Sequence, residues 1–142
     1  MSESLKQPGV PEGKEGIKKK ILVADDEEII RELSTAVLES WGYEVETVDN
    51  GEDLLKRLNS GEKFDLVVTD NNMPKMKGIE ALEEMRKNPL FDNVHVILRS
   101  GLGSPDLQKK VEKLGGIYLA KPHNNNDLKE KIKEALKENP SN

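Results

Sequence analysis

Asp25-Asp26, Asp70, Ser100-Gly101 and Lys121 each close a short apolar run of the chain. A run such as Leu66-Val67-Val68 calls for burial, and the bare charge of Asp70 at its end is costly unless something compensates it. If the runs ending at Asp25 and Asp70 lie side by side, their carboxylates converge. Two carboxylates about 5 Å apart repel by roughly 3 kcal/mol at an effective dielectric near 20. Three would call for a shared cation. Hard oxygen ligands with water in the open positions suit Mg²⁺, or Mn²⁺ in its place. Metal and a lysine together would compensate the charge on Asp70. Each residue also has an ordinary explanation. Acidic pairs cap helices, Asp-Asn clusters start turns, and Lys-Pro alone means nothing. The argument for chemistry is their convergence.

Five apolar runs must do the positioning: Ile21-Leu22-Val23-Ala24, Val45 to Val48, Leu66-Val67-Val68, Val94 to Leu98 and Ile117-Tyr118-Leu119. The first, third and fourth are nearly continuous, as in parallel strands covered on both faces. The second alternates, which suits an edge. Between the runs, apolar residues recur at helical spacing: Ile29, Ile30, Leu33, Val37 and Leu38; Leu54, Leu55 and Leu58; Ile79, Leu82 and Met85; Leu107, Val111 and Leu114; Leu128, Ile132 and Leu136. Asn50-Gly51 and Ser104-Pro105 read as helix starts and Gly115-Gly116 as a helix end. Five strand-then-helix units predict an α/β, flavodoxin-like (βα)5 three-layer sandwich with a parallel sheet in order 2-1-3-4-5. In such a sheet, ligands bind beyond the carboxyl ends of the strands, near the switch point beside strands 1 and 3. The acidic residues fall there.

The chain has 142 residues, a net charge of −5 and no cysteine. The charge argues against direct nucleic-acid binding, and the lack of cysteine excludes a thiol nucleophile or disulfide framework. No apolar stretch approaches the ~20 residues that span a bilayer, and no signal-peptide core opens the chain, so a cytoplasmic protein with no membrane contact is expected. Residues 1–17 read as a flexible tail, 18–139 as one domain and 140–142 as a short C-terminal tail.

The chain resembles a response-regulator receiver domain, the phosphoacceptor module of two-component signalling. The resemblance spans about residues 18 to 138 and rests on four ordered segments. "ILVADDEEIIRELSTAVLESWGYEVETVDNGEDLLKRL" carries the acidic pair, and "DLVVTDNNMPKMKGIEALEEMR" carries Asp70. "VHVILRSG" carries Ser100, and "GGIYLAKPHN" carries Lys121. The resemblance implies that Asp70 accepts a phosphoryl group from a histidine kinase or histidine phosphotransfer protein. It implies Mg²⁺ on Asp26, Asp70 and the Asn72 backbone carbonyl, with Asp25 bound directly or through water. Lys121, Ser100 and the Gly101 N–H would hold phosphoryl oxygens. A switch through Ser100 and Tyr118 would alter the surface of helix 4, strand 5 and helix 5 for an unknown downstream protein. Such a protein is no enzyme beyond its own phosphorylation and slow autodephosphorylation. The peptide bond before Pro122 is expected to be cis. Gly78 is expected to supply a flexible joint.

Departures from the family pattern are specific. Arg99 stands where an apolar residue is the rule, and either reaches the rim or snorkels outward. Lys77 replaces an Asp and His123 a Phe. Asn72 and Leu102 occupy the positions that tune dephosphorylation, and an apolar Leu102 orients no water, so a long-lived acyl phosphate is expected. A flavodoxin-like cofactor binder would place Ser, Thr or Gly, not Asp-Asp-Glu-Glu, after strand 1. A haloacid-dehalogenase-type phosphohydrolase needs an acid two residues past its nucleophile, where Asn72 stands. The rival reading is a receiver-fold interaction module that no longer depends on phosphorylation. With "KENPSN" closing the chain, a stand-alone regulator or a receiver cut from a hybrid kinase is expected.

Overall fold

Hydrophobic runs too short to span more than one strand each pair side by side, and every pairing is parallel. The computed structural model describes residues 18–101 and 104–137. The tails expected at 1–17 and 140–142, and the tuning residue Leu102, lie outside the described residues. The strands are β1 (Lys20–Ala24), β2 (Glu44–Val48), β3 (Leu66–Asp70), β4 (His95–Ser100) and β5 (Ile117–Ala120). The helices are α1 (Glu28–Ser40), α2 (Gly51–Leu58), α3 (Gly78–Arg86), α4 (Pro105–Lys113) and α5 (Asn125–Leu136), with a 3-10 turn at Pro89–Phe91. The strand order is β2-β1-β3-β4-β5, as the alternation of runs predicts.

Side chains alternate across a strand, so each strand feeds two cores. Leu22, Ala24, Val67, Val96 and Leu98 pack with Leu54, Leu82 and Met85 on one face. Ile21, Val23, Leu66, Val68, Ile97 and Leu119 pack with Leu38, Leu128 and Ile132 on the other. The edge expected at the second run is there: β2 has no fully buried residue. Helix entries follow local chemistry. Asn50 accepts the Asp53 N–H at 2.8 Å, Ser104 accepts that of Leu107 at 3.2 Å, and Asn124 that of Asp127 at 2.7 Å.

One expected face needs correction. Ile29 and Leu33 are not core residues of α1 but are 68% and 58% exposed. Leu38 is buried on that helix, and Ile30 and Val37 are partly so. Two apolar stripes run along α1, and only one fits under the sheet.

Candidate functional site

Alternation decides which side chains share the carboxyl-end rim. Asp25 follows Ile21 and Val23, Asp70 follows Leu66 and Val68, and Arg99 follows Ile97, all by steps of two. Asp70 pairs in register with Arg99, and Ala24 with Thr69, so Asp25, Asp70 and Arg99 form one row across three adjacent strands. Lys121, two residues past Leu119, joins from the end of β5. Asp25, Asp70 and Arg99 are 2%, 6% and 5% exposed, a burial of charge that must be compensated.

Compensation comes from the chain itself. The Lys121 Nζ donates to Asp70 Oδ1, and the Asn72 N–H donates to Asp70 Oδ2 at 3.1 Å. Arg99 donates to Asp25 Oδ2 at 3.3 Å, and the Glu27 N–H donates to Asp25 Oδ1 at 2.9 Å. Two buried acids therefore face two cations. Burial pushes the Asp25 carboxyl above its ordinary value, as does the nearby Asp70 charge, while the Glu27 N–H, Arg99 and Lys121 pull it back. Burial also lowers the Arg99 guanidinium from its ordinary value, opposed by Asp25 and Asp70, and a guanidinium remains charged at any working pH. Arg99 and Lys121 thus offset the two buried acids, and the Arg99 share is a compensation the crowding argument did not count.

Asp26 lies exposed beside the row, and Gly101 is exposed as well. Among the described residues no three His, Cys, Asp or Glu side chains are gathered to hold a metal ion. The donor chemistry of Asp25, Asp26 and Asp70 still fits a hard cation: these are carboxylate oxygens at one end of the sheet, beside an open cleft. Both oxygens of each buried carboxylate have partners, so a cation would have to exchange for some of them.

Ser100 is buried at the end of β4, and its carbonyl accepts the Lys121 N–H at 2.9 Å, which ties the strand 4 and strand 5 ends together. By alternation it continues the opposite face, behind Leu98, whose register partner is Tyr118. Tyr118 is half-buried against the α2–α3–α4 core. The Lys121–Pro122 bond is cis, as expected. His123, Pro122, Lys121 and Gly101 line one cleft with Asp25, Asp70 and Arg99. Arg99 thus reaches the rim, one of the two outcomes open to it, and does not snorkel to solvent.

Asn71 was not among the expected site residues, yet it fixes the loop after Asp70. Its N–H donates to the Arg99 carbonyl at 3.0 Å, its carbonyl accepts the Gly78 N–H at 3.0 Å, and its side-chain oxygen accepts the Ile79 N–H at 3.0 Å. The signal was available: Asn beside a strand end tends to bond neighbouring backbone. Gly78 has a steric role beside the flexible joint expected of it. A Cβ there would collide with the Asp70 carbonyl oxygen and stand 3.2 Å from Thr69 Oγ1, so glycine is required by close approach.

Comparison with known proteins agrees with this fold. A family model described as "Response regulator receiver domain" matches residues 21–133. The chain is 37% identical over 134 residues to the chemotaxis protein CheY of Treponema pallidum, covering 90% of this chain and 91% of that one. It is 38% identical over 123 residues to a transcriptional regulatory protein CpxR homolog of Haemophilus influenzae, covering 86% of this chain but only 52% of that protein. The chain thus spans about half of that relative's length. A CheY-like receiver domain protein from Methanospirillum hungatei superposes with a TM-score of 0.78 at 35% identity, covering 85% of this chain and 95% of that one.

Proposed function

The chain belongs to the response-regulator receiver family, and from that membership we propose that Asp70 takes a phosphoryl group from a histidine kinase or histidine phosphotransfer protein. The observation that carries the proposal is the buried Asp70 held by Lys121 at the mouth of a cleft. In the transfer, an Asp70 oxygen attacks phosphorus in line, the bond to the donor imidazole breaks, and the imidazole keeps its nitrogen lone pair. Little acid–base work is needed, so positioning and neutralisation of the equatorial oxygens dominate. Lys121 moves from the Asp70 oxygen to a phosphoryl oxygen, and Ser100 and the Gly101 N–H serve the others. Asp26, Asp70 and the Asn72 carbonyl would hold Mg²⁺ (or Mn²⁺), with Asp25 beside it. When bound, that ion supplies charge neutralisation at the transferring group.

The output is a population shift. Ser100 drawn toward the phosphoryl group frees space on the face it shares with Tyr118, two positions off in register, and the aromatic ring turns inward. The surface that changes is α4, β5 and α5, where we place a downstream protein. A donor protein would have to cover the rim, and the exposed Ile29 and Leu33 on the helix that leaves Asp25-Asp26 offer it apolar contact. Outside its own phosphorylation and slow autodephosphorylation, which Asn72 and Leu102 would tune, the protein has no enzymatic activity in this reading. Its place is the cytoplasm, without direct nucleic-acid or membrane binding. No helix among the described residues is long and apolar enough to cross a membrane.

Acetyl phosphate with Mg²⁺ tests the proposal by intact mass. Wild type should gain one phosphate and Asp70→Asn none. A wild type that gains nothing supports the rival reading, a receiver-fold module indifferent to phosphorylation.

A further inference from the structure

The family's acidic rim is served here by a cation that its pattern does not contain. Arg99 sits on the central row, with its charge on the Asp25 carboxylate, and both side chains are almost wholly buried. Three observations bear on what that does. First, the pairing occupies the second Asp25 oxygen, the first already accepting the Glu27 N–H. Second, the charge is permanent, because a guanidinium does not deprotonate in proteins. Third, the anchoring is incomplete. Arg99 Nε is buried with no hydrogen-bond partner among the described residues, and a single Nη2 contact reaches Asp25, not the two-pronged fork that makes Arg–carboxylate pairs strong.

We propose that Arg99 is a resident counter-ion of the acidic rim that competes with the divalent ion for Asp25, so that metal binding requires the Arg99–Asp25 pair to open. This deepens the phosphoacceptor reading and rests on it. Arg99 and Lys121 offset the charges of the two buried acids, so an incoming divalent ion meets Asp25 already paired. The pair is buried enough to neutralise Asp25 and loose enough to part. Once displaced, the guanidinium remains in the cleft lined by Asp70 and Lys121, beside the place where phosphoryl oxygens would arrive.

The charge and the shape of Arg99 can be separated. Arg99→Gln keeps a donor for Asp25 and removes the charge; Arg99→Lys keeps the charge. Mn²⁺ binding is read by the electron paramagnetic resonance of free Mn²⁺ on unphosphorylated protein, with folding checked by circular dichroism. A unit charge about 6 Å from a divalent ion changes its binding constant by about tenfold even at the dielectric of water, and by more at lower effective dielectrics. Arg99→Gln should therefore bind Mn²⁺ at least about tenfold more tightly than wild type, and Arg99→Lys within about threefold of it. Equal or weaker binding by Arg99→Gln, with wild type binding normally, overturns the counter-ion role and leaves the phosphoacceptor reading intact. If no form binds Mn²⁺, both fall. Wild type alone gives an independent reading: the Arg99 Nε–H resonance should move as Mg²⁺ saturates the site, and a resonance that stays fixed overturns the proposal.

Discussion

Arg99 and Asp25 meet at 3.3 Å although Arg99 stands on β4 and Asp25 just past the end of β1, with β3 and its terminal Asp70 between them. The guanidinium spans one strand and leaves Asp70 to Lys121. Removing one partner of a buried pair strands the other, which makes such pairs costly to break and informative to mutate. The two cations divide the work: one answers Asp25, the other Asp70.

Lys121→Met removes the cation that touches Asp70, the proposed phosphoacceptor. Losing one preorganised donor at developing charge typically costs about 10²- to 10³-fold in rate. Phosphorylation of Lys121→Met by acetyl phosphate should slow by about that factor, followed by intact mass over time. Melting checks that the variant is folded.

Gly78→Ala tests the close approach of α3 to the Asp70 carbonyl. The added methyl must push the first turn of α3 away from β3. Overpacking of this kind costs about 1–3 kcal/mol, and urea unfolding should show a loss in that range. An unchanged midpoint would mean that the turn has room to yield.

Arg86 acts as a clamp distant from the rim. Its Nε donates to the Leu114 carbonyl at 2.8 Å, and its Nη1 to the Phe91 and Val94 carbonyls at 3.0 and 3.2 Å. One side chain thus ties α3 to the end of α4 and to the entry of β4. Arg86→Ala leaves those carbonyls to find water, and about 2–4 kcal/mol of stability should be lost in urea melts, with phosphorylation of the folded fraction unaffected.

His95 begins β4 with its pKa below the ordinary 6.5, because burial and the cations Lys137, Arg86 and Lys19 outweigh Asp65. A lowered folded pKa means that the unfolded chain binds the proton first. The stability it contributes is fully present above about 6.5 and is lost as pH falls through the folded value. Wild type should therefore lose more stability between pH 7.5 and 5.5 than His95→Gln does, measured by paired urea melts. Equal slopes would remove His95 from the account.

The order of strands, the edge at β2, the helix starts at Asn50 and Ser104 and the convergence of Asp25, Asp70 and Lys121 were legible in the sequence. Each follows from local pattern: continuous against alternating runs, Asn or Ser before a helix, polar residues at run ends. Arg99 was half legible. Counting by twos from Ile97 puts it on the face of Asp70, but only the register between strands shows that its side chain reaches Asp25 and not solvent. Ile29 and Leu33 misled because a helix with two apolar stripes carries no local mark of which one meets the sheet. Gly78 was legible only in part, because its close approach to β3 was not. A glycine needed for flexibility and one needed for lack of a Cβ look alike until the neighbouring carbonyl is placed.

The most direct test asks which atom carries the phosphoryl group. Borohydride reduces an aspartyl phosphate to homoserine, and peptide mass spectrometry then reads the position. After acetyl phosphate and Mg²⁺, homoserine should appear at position 70 alone. Homoserine at Asp25 or Asp26, or a phosphate that survives reduction on another residue, would contradict the account.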